Sequence, residues 1–411
     1  MNTEEDKNPL SDFFRELKYR EDPTHPLTEE ERLSGAVKPL LCWYGENARD
    51  LPWRRQPSPY RVWVSEIMLQ QTRVEAVKPY FARFMEAYPE ISDLARAEEE
   101  QLLKLWEGLG YYSRARNLKK AARAAVEQYD GCLPADFEKL KKLPGIGPYT
   151  AGAIASIAYQ IAVPAVDGNV LRVITRLLAD AADIARPDVK KQVEQKLKKV
   201  IPKDCPGAFN QALMELGALV CVPNGSPKCG DCPWEGLCLA NRRGLTGEIP
   251  FKSPKKARRI EERTVFLIQS EGKTGVRKRG EQGLLAGLYE FPSLEGKLEE
   301  DQVRERLEEC LGVNGTEKKD GNVVNGAYDR NRAIGGKDED SEKQIVERLP
   351  EAKHVFTHVE WHMTGWRLSV PVSGWERLKP LFGPLIPADR RQLETVYAIP
   401  SAYKKYYELI H

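Results

Sequence analysis

The sequence predicts a two-domain protein, with a mainly α-helical body followed by a smaller α+β domain. The chain has 411 residues, which is more than one hydrophobic core usually organises. From about residue 33 to residue 242, apolar residues recur at helical spacing between turns that contain Gly and Pro. This pattern indicates an all-α body. Beyond residue 243, β-rich runs replace it, and we expect the second domain there.

The predicted body extends over residues 31–245, after a polar tail at residues 1–30 that we expect to be frayed. Within Val74–Phe84, apolar side chains stand at i, i+3, i+7 and i+10, which is typical of one buried helical stripe. Ala151–Tyr159 is rich in small residues. We therefore expect a tightly packed helix there.

The second domain is expected over residues 263–404, after a basic, proline-bearing linker at residues 246–262. The charges of this linker fit a solvated surface as well as a strap that contacts phosphate. The polar run Asn314–Lys343 indicates a mobile loop. Strands are predicted at Thr264–Ile268, Leu284–Pro292 and Trp366–Val372, and an amphipathic helix at Val303–Leu311.

The composition limits the classes of protein to which this chain can belong. Apolar residues make up 41% and charged residues 30%, as in ordinary soluble globular proteins. The net charge of +2 means that any basic surface for nucleic acid must be local. No apolar run has transmembrane length, and the N-terminal residues resemble neither a signal nor a transit peptide. We therefore expect a cytoplasmic protein that is not attached to a membrane.

Half of the eight cysteines stand in one short run, Cys221-x7-Cys229-x2-Cys232-x5-Cys238. The Pro and Gly residues between them favour a compact loop that could wrap around a ligand. Structural zinc usually uses two CxxC pairs, and only Cys229 and Cys232 form one here. The uneven run favours a four-thiolate iron–sulfur cluster, with zinc and disulfides as alternatives. A cytoplasmic location disfavours disulfides, and we expect the four remaining cysteines to be free thiols: Cys42, Cys132, Cys205 and Cys310.

A second motif is the turn Leu143-Pro144-Gly145-Ile146-Gly147, which directly precedes a predicted helix. Backbone N–H groups at such a turn and helix start form an anion site suited to a DNA phosphate. A generic connection between two helices would look the same. The aspartate in Val166-Asp167-Gly168-Asn169 follows, and then the cysteine run.

Taken together, these motifs resemble the helix-hairpin-helix DNA glycosylases that carry a four-cysteine [4Fe–4S] loop. The resemblance implies that Cys221, Cys229, Cys232 and Cys238 bind the cluster. Endonuclease III-type and MutY-type adenine glycosylases share these features. Bifunctional members have a lysine nucleophile where this chain has Tyr149. Because a phenol cannot form an imine, we expect a monofunctional enzyme.

The segment from Leu51-Pro52-Trp53-Arg54 to Gln71-Thr72 resembles the MutY-type signature. The resemblance implies that Glu66 is the general acid, which protonates adenine at N7, and that Asp167 stabilises the sugar cation or forms a transient adduct with it. Burial beside apolar neighbours would raise the pKa of Glu66 and keep it protonated. Without the motif, a helix carboxylate with only an electrostatic role would be the simpler interpretation. Tyr149 and Asn169 match positions that orient the two acids.

Further positions match family residues that contact DNA. Gln71 and Tyr111 correspond to wedge residues that fill the base stack, although Tyr111 would also suit plain helix packing. Weaker candidates for the adenine pocket are Trp53, Arg54, Leu69 and Glu215. Arg114 and Arg116 are candidate phosphate contacts that could equally be solvated. Gly145 and Gly147 belong to the hairpin.

The C-terminal region resembles the Nudix-like domain of the MutY type. Gly283–Pro292 matches the signature strand of that domain. Val303–Gly312 keeps the helix but not the full set of Mg²⁺-binding acids, so we expect a binding domain rather than a hydrolase. Phe356-Thr357-His358 aligns with a Phe-Ser-His loop that contacts 8-oxoguanine, with Thr357 departing from serine. His354 and His362 have no such match.

The resemblance thus predicts a helix-hairpin-helix glycosylase body with a [4Fe–4S] loop and a Nudix-like domain for 8-oxoguanine recognition. Within the body, a six-helix barrel would cover about residues 58–165. The iron–sulfur part would combine the N-terminal helix with about residues 166–245. The expected partner is duplex DNA with A:8-oxoG or A:G mispairs, bound by a monomer. The first cysteine gap has seven residues where the family has six.

The resemblance further implies a bacterial-type protein at the nucleoid. Two alternatives are an endonuclease III-like glycosylase for oxidised pyrimidines and a non-catalytic iron–sulfur DNA-binding protein. Tyr149 and the second domain disfavour the former, and Glu66 with Asp167 disfavours the latter.

Overall fold

The computed structural model describes residues 26–254, 257–311 and 345–410. The chain divides into two compact units. The first contains the described residues of Met1–Ala97 and Arg116–Lys255, and the second those of Glu98–Ala115 and Lys256–His411. The predicted mobile loop Asn314–Lys343 and residues 1–25 of the predicted tail lie outside the described residues. Among the described residues, no helix combines the length and apolarity needed to cross a bilayer.

The first unit contains no β-strand within residues 26–97 and 116–254. Its helices are α1 (Glu29–Asn47), α2 (Pro52–Arg55), α3 (Pro59–Leu69), α4 (Val74–Ala87), α5 (Ile91–Arg96), most of α7 (Ser113–Gln128), α8 (Phe137–Leu140), α9 (Pro148–Tyr159), α10 (Gly168–Leu178), α11 (Pro187–Val200), α12 (Pro206–Leu219) and α13 (Leu239–Arg242). Helix α6 (Glu99–Leu105) belongs to the second unit.

The first described helix begins earlier than the predicted end of the tail at residue 30. Thr28 and Glu31 form a capping box in which the Glu31 N–H donates to Thr28 Oγ1 and the Thr28 N–H to Glu31 Oε2. Such a box satisfies two of the N–H groups that a helix start leaves without partners. The helix therefore starts at Glu29, and its apolar face packs into a core built with α10, α11, α12 and the cysteine loop.

Two long-range hydrogen bonds tie α1 to the cysteine loop. Buried Arg32 donates from Nη1 to the carbonyl of Leu237 at 2.6 Å. The Trp234 indole N–H donates to the carbonyl of Ala36 at 2.8 Å. Because buried polar groups need partners, these two bonds hold the loop against the helix in addition to the apolar packing.

The second unit is built on a twisted sheet with helices on both faces. Its strands are β1 (Arg259–Ser270), β2 (Lys273–Lys278), β3 (Tyr289–Glu290), β4 (Ser293–Glu295), β5 (Ile345–Val355), β6 (Val359–Ser369) and β7 (Ile386–Ala388). They run in the order β3-β2-β1-β6-β5, with β4 also on β1 and β7 on β2. β1 and β6 pair in parallel, and the other pairs are antiparallel.

The central strand β1 is buried on both faces, which explains why its sequence reads as a continuous apolar run. Val265 and Leu267 face a core with the C-terminal segment. Phe266 and Ile268 face the opposite core, with α14 (Glu300–Leu311). The remaining helices are α15 (Gly374–Arg377), α16 (Lys379–Phe382), α17 (Arg390–Thr395) and α18 (Lys404–Tyr407).

The predicted fold class is confirmed, but the strand predicted at Leu284–Pro292 is not continuous. Only Tyr289–Glu290 pairs as a strand. Gly283, Leu285 and Gly287 have φ angles of 88°, 58° and 64°, which is left-handed backbone that a strand cannot contain. This stretch is a turn, so its apolar residues do not indicate strand pairing. β1 also begins at Arg259, inside the linker predicted at residues 246–262.

Candidate active site

A cavity of about 600 Å³ opens in the first unit, within the size range typical of small-ligand sites. It is lined by side chains from several helices that are far apart in sequence. The candidate residues that it brings together are Trp53, Arg54, Glu66, Leu69, Gln71, Tyr149, Asp167, Asn169 and Glu215. Arg49, Lys190, Gln211 and Met214 also line it.

Glu66 lies on α3, which Ser58 caps and Pro59 begins. The residue is only 7% exposed, and the Tyr149 hydroxyl from α9 donates a hydrogen bond to its Oε2. Burial raises the pKa of Glu66 to about 7, with the charge of Asp167 adding to this effect and Tyr149 and Arg54 opposing it. Burial disfavours the charged form of a carboxyl. The group can therefore carry a proton at neutral pH.

Asp167 is the N-cap of α10, and its environment differs from that of Glu66. Its Oδ1 accepts the N–H of Val170 at 2.8 Å, and its Oδ2 accepts the Asn169 side-chain amide at 2.8 Å. Burial raises the pKa of Asp167 above its usual value, and these two donors oppose that rise without reversing it. A helix N-terminus also favours negative charge. These donors favour the ionised form of Asp167 beside a protonated Glu66.

Arg172 connects this aspartate to the cysteine loop. Its Nη2 donates to Asn169 Oδ1 and to the carbonyl of Gly217, both at 2.8 Å, and its Nε donates to the carbonyl of Cys221 at 2.8 Å. The guanidinium therefore holds Asn169 in the orientation that donates to Asp167. Sequence reasoning missed Arg172, although an arginine on the buried side of a helix was a usable signal.

Glu215 is 1% exposed and forms ion pairs with two arginines. Arg49 Nε and Arg54 Nη2 lie 2.6 Å and 2.8 Å from its carboxylate oxygens. Burial alone would raise the pKa of Glu215, but the hydrogen bonds from Arg49 and Arg54 outweigh it and lower the pKa to about 2. Glu215 is thus a fixed anion in the cavity wall, where it offsets part of the positive charge beside Glu66. Arg49 was missed because its partner is 166 residues away.

Three other candidates complete this wall. Trp53 is 5% exposed and packs edge-on against Phe81, with ring centroids 5.4 Å apart. Leu69 ends α3. Gln71 follows with a φ of 59°, an uncommon conformation for a residue other than glycine. It turns the chain towards α4 and leaves the side chain exposed at the cavity.

The glycine turn lies between α8 and α9. Gly145 has a φ of +75°, and a Cβ there would come within 2.6 Å of the Asn117 Cβ. Only glycine therefore fits without a shift of the backbone. Gly147 is the N-cap of α9, and a Cβ there would meet nothing within 4 Å. The open space in front of Gly147 leaves room for another molecule at the start of the helix.

The four cysteines of the run line one small cavity with Arg176. Arg176 is 5% exposed, and its Nη1 lies 3.3 Å from the Cys221 sulfur. Burial raises the pKa of the Cys232 thiol to about 12, so this thiol stays neutral until a metal binds it. Among the described residues, no three His, Cys, Asp or Glu side chains are grouped as a single metal ion requires. The donor set nevertheless fits a larger centre, because each thiolate of a four-iron cluster binds a different iron.

The remaining candidates belong to the second unit. Phe356, Thr357 and His358 form the turn between β5 and β6, which the Phe356 N–H closes by donating to the Val359 carbonyl at 2.8 Å. The Phe356 ring packs on Trp361, with centroids 4.8 Å apart. Tyr111 is 47% exposed, and its hydroxyl lies 3.0 Å from Thr357 Oγ1. Two positions predicted as separate DNA contacts therefore touch each other.

Arg114 differs from its assignment as a candidate phosphate contact. It is only 9% exposed and donates from Nη2 to the carbonyls of Leu109 and Gly110, at 2.8 Å and 3.1 Å. Burial lowers the pKa of Arg114 to about 10. Its hydrogen bonds hold the turn before Tyr111. Arg116 is half-buried on the same helix.

The helical body with its glycine hairpin, around a cavity that holds the buried carboxyl pair, is a fold of the helix-hairpin-helix class. The chain matches the family described as HhH-GPD superfamily base excision DNA repair protein over residues 64–203. It also matches the NUDIX domain over residues 264–409. The chain belongs to the adenine DNA glycosylase family.

The chain is similar in sequence to adenine DNA glycosylases of other organisms. The adenine DNA glycosylase of Homo sapiens is 39% identical over 322 residues, covering 65% of this chain and 59% of that protein. That of Rattus norvegicus is 37% identical, covering 68% and 64%. That of Buchnera aphidicola subsp. Schizaphis graminum is 35% identical, covering 63% and 75%. The chain thus spans less than two thirds of the length of the two mammalian relatives.

Solved structures resemble about half of the chain. A thermostable thymine-DNA glycosylase is 27% identical, with a TM-score of 0.48, and covers 52% of this chain and 97% of its own. An endonuclease III in a non-covalent DNA complex is 26% identical, with a TM-score of 0.46, and covers 53% and 99%. Nothing further follows from likenesses at this level.

Proposed function

We propose that this protein is a monofunctional adenine DNA glycosylase that removes adenine paired with 8-oxoguanine or guanine in duplex DNA. The observation that carries the proposal is the buried Glu66, whose pKa is raised to about 7 and whose cavity also holds Asp167. Two carboxyls of unlike protonation are the general solution for cleaving a glycosidic bond. The family membership supports adenine as the base.

Glu66 acts as the general acid. The Tyr149 hydroxyl donates to Oε2, so the proton is carried on Oε1 and passes from there to N7 of the flipped adenine. Protonation makes the base a better leaving group. Tyr149 does not form an imine with the sugar, because a phenol lacks the amine that such a step needs.

Asp167 faces the sugar as the glycosidic bond breaks. Its carboxylate stabilises the oxocarbenium-like cation by charge, or adds to it transiently, and water completes the hydrolysis. Asn169 and Arg172 support this role, since their hydrogen bonds fix the orientation of the carboxylate. The orientation exists before the substrate binds, which avoids reorganisation during the reaction.

The extruded adenine occupies the cavity between Trp53, Arg54, Leu69 and the wall that contains Glu215. Gln71 and Tyr111 act as wedge residues that fill the gap in the base stack. The hairpin at Gly145 and Gly147 binds DNA phosphate through its backbone N–H groups and the start of α9. The open space in front of Gly147 supports this assignment.

The four thiolates of Cys221, Cys229, Cys232 and Cys238 hold a [4Fe–4S] cluster, which when bound supplies a rigid four-point anchor for the loop. Arg176 supports the assignment, since a guanidinium 3.3 Å from Cys221 Sγ offsets thiolate charge. The seven-residue gap is accommodated because the Lys228 N–H donates back to the Val220 carbonyl at 3.0 Å and closes the loop.

The C-terminal domain, proposed over residues 263–404, recognises 8-oxoguanine through Phe356, Thr357 and His358. The tight turn supports this role because its backbone is held on both sides. Arg258 Nε donates to the Phe356 carbonyl and the Arg259 N–H to the His358 carbonyl, both at 3.1 Å. The body at residues 31–245, the linker at residues 246–262, the monomeric state and the association with the nucleoid stay predictions.

A single-turnover assay on duplexes with A:8-oxoG tests the proposal. The protein should release adenine without cutting the strand. Glu66→Gln should still bind the same duplex but release adenine about 10²–10⁴-fold more slowly. Borohydride trapping on a duplex with an oxidised pyrimidine is the counter-test, because a covalent adduct there would indicate an endonuclease III-like enzyme. Binding without release of any base would indicate a non-catalytic DNA-binding protein.

A further inference from the structure

The segment Glu98–Ala115 lies within the part of the chain that matches the glycosylase family, yet it packs with the C-terminal sheet unit. Helix α6 and the turn that carries Tyr111 therefore belong structurally to the same unit as Thr357. The described contacts show what holds them there.

Lys104 and Glu107 form the central contact. Lys104 Nζ lies 2.6 Å from Glu107 Oε2, and the two side chains are 15% and 27% exposed. The same ammonium donates to the carbonyls of Leu393 and Tyr397, at 2.8 Å and 3.0 Å. Leu393 lies in the last turn of α17, where carbonyls lack helical partners and attract a cation. Lys104 thus caps a helix of the sheet unit.

Glu107 completes this contact from the other side. Its Oε1 accepts the N–H of Ile399 at 2.7 Å. Burial raises the pKa of Glu107, and Lys104 opposes this effect. A second contact is more exposed: Glu100 accepts from Lys278 at 2.7 Å and from the Tyr289 hydroxyl at 3.0 Å. Exposed ion pairs contribute little, so the Lys104–Glu107 pair is the stronger link.

The turn that follows Glu107 is held by side-chain hydrogen bonds. Gly108, Gly110 and Tyr111 have φ angles of 98°, 67° and 47°. The Trp106 indole donates to the Gly110 carbonyl at 3.1 Å, and Arg114 holds the neighbouring carbonyls. These bonds reduce the freedom of the turn through which Glu107 is connected to Tyr111.

We propose that the Lys104–Glu107 pair positions Tyr111 against Thr357 and thereby contributes to the discrimination between 8-oxoguanine and guanine opposite adenine. This inference rests on the proposed function. The two residues do not touch the DNA or the reacting atoms. They fix the distance between the wedge tyrosine and the turn that contacts the oxidised base, and a displacement of about 1 Å at such a place can change a rate substantially.

Two variants test this role. Lys104→Met keeps most of the unbranched side chain and removes the three N–H donors. Glu107→Gln keeps an acceptor for Ile399 and removes the charge. Lys379→Met is the matched control, because Lys379 and Glu376 also form an i,i+3 pair in the same unit but lie exposed, 3.8 Å apart. Thermal melting identifies loss of folded protein.

The readout is the ratio of single-turnover rates on A:8-oxoG and A:G duplexes. We expect both variants to lower this ratio about 10-fold, while Lys379→Met leaves it unchanged. In a Tyr111→Ala background, Lys104→Met should change the ratio no further, since coupled residues are not additive. The inference is overturned by an unchanged ratio, by an equal fall in both backgrounds, or by losses on both duplexes in proportion to unfolded protein.

A binding measurement separates this inference from the proposed function. In the Glu66→Gln background, Lys104→Met should weaken binding to the A:8-oxoG duplex more than binding to the A:G duplex. If the unaltered protein released no adenine, the proposed function would fail. A binding ratio that still shifted would then support the positioning role, and an unchanged binding ratio would refute it.

Discussion

Replacing Tyr149 with phenylalanine removes the hydroxyl that donates to Glu66 and nothing else from the cavity. A hydrogen bond to a charged group contributes about 1.5–3 kcal/mol, and 1.36 kcal/mol corresponds to one pH unit. The hydroxyl stabilises the ionised carboxylate and so lowers the pKa of Glu66, which is about 7 when it is present. Without it, the pKa of Glu66 should rise by about one to two pH units.

The direction in which the pH profile shifts follows from the role of Glu66 as a proton donor. The rate of adenine release falls as pH rises through the pKa of the acid. In Tyr149→Phe this fall should therefore occur at higher pH, about 8 to 9, and from a lower plateau because the acid is less well oriented. Single-turnover rates on an A:8-oxoG duplex between pH 5.5 and about 9.5 measure it.

The matched control is Tyr60→Phe. Tyr60 is also a buried phenol, but it donates to the backbone carbonyl of Tyr88 at 2.9 Å and not to Glu66. Its removal should leave the pH profile unchanged. The rate of Tyr149→Phe could instead fall at the same pH as that of the unaltered protein, or at a lower pH. Either result would show that Glu66 is not the titrating acid or that the bond does not favour its ionised form.

Four further substitutions have defined outcomes. Glu66→Gln should raise the melting temperature at pH 8 but hardly at pH 4. The folded state keeps a proton on Glu66 up to a pKa of about 7, whereas the unfolded carboxyl loses it near ~4.3, so the stability of the unaltered protein falls by about 3–4 kcal/mol between these pH values. Equal melting shifts at both pH values would contradict this. Arg172→Met should lower the rate of adenine release more than DNA affinity, because Asp167 loses its oriented amide; an affinity loss alone would refute it. Gly145→Ala should destabilise the protein by about 1–3 kcal/mol, while Gly147→Ala should fold normally and lose DNA affinity in a filter-binding assay, and the reverse order would be inconsistent with the hairpin geometry.

The sequence predicted which residues line the cavity better than it predicted the electrostatics of the cavity. Local motifs single out all three carriers of the proposed chemistry: Tyr149 and Asp167 stand at helix starts, and Glu66 lies within α3. The ion pairs of Glu215 join residues 161 and 166 positions apart, and no local pattern reveals such a pairing. Burial, which sets the pKa of Glu66, also depends on the whole packed core.

The fold was predictable where the hydrophobic period was clear and failed where glycine controlled the backbone. β1 reads as a buried strand because apolar residues face both cores. The apolar residues near Leu285 suggested a strand as well, but three left-handed φ angles between Gly283 and Gly287 break it. Likewise, Tyr111 is close to the glycosylase motifs in sequence, and only long-range contacts assign it to the second unit.

The hydrogen bond between Arg32 and Leu237 spans 205 residues, and this separation has a consequence for synthesis on the ribosome. At about 5–20 residues per second, the nascent helix α1 waits roughly 10–40 s before its partner loop emerges. During that time its apolar face, with Leu33 and Leu40, lacks the core that finally covers it. The N-terminal helix is therefore made long before the loop that completes its core, and its apolar face stays uncovered by that loop for the whole interval.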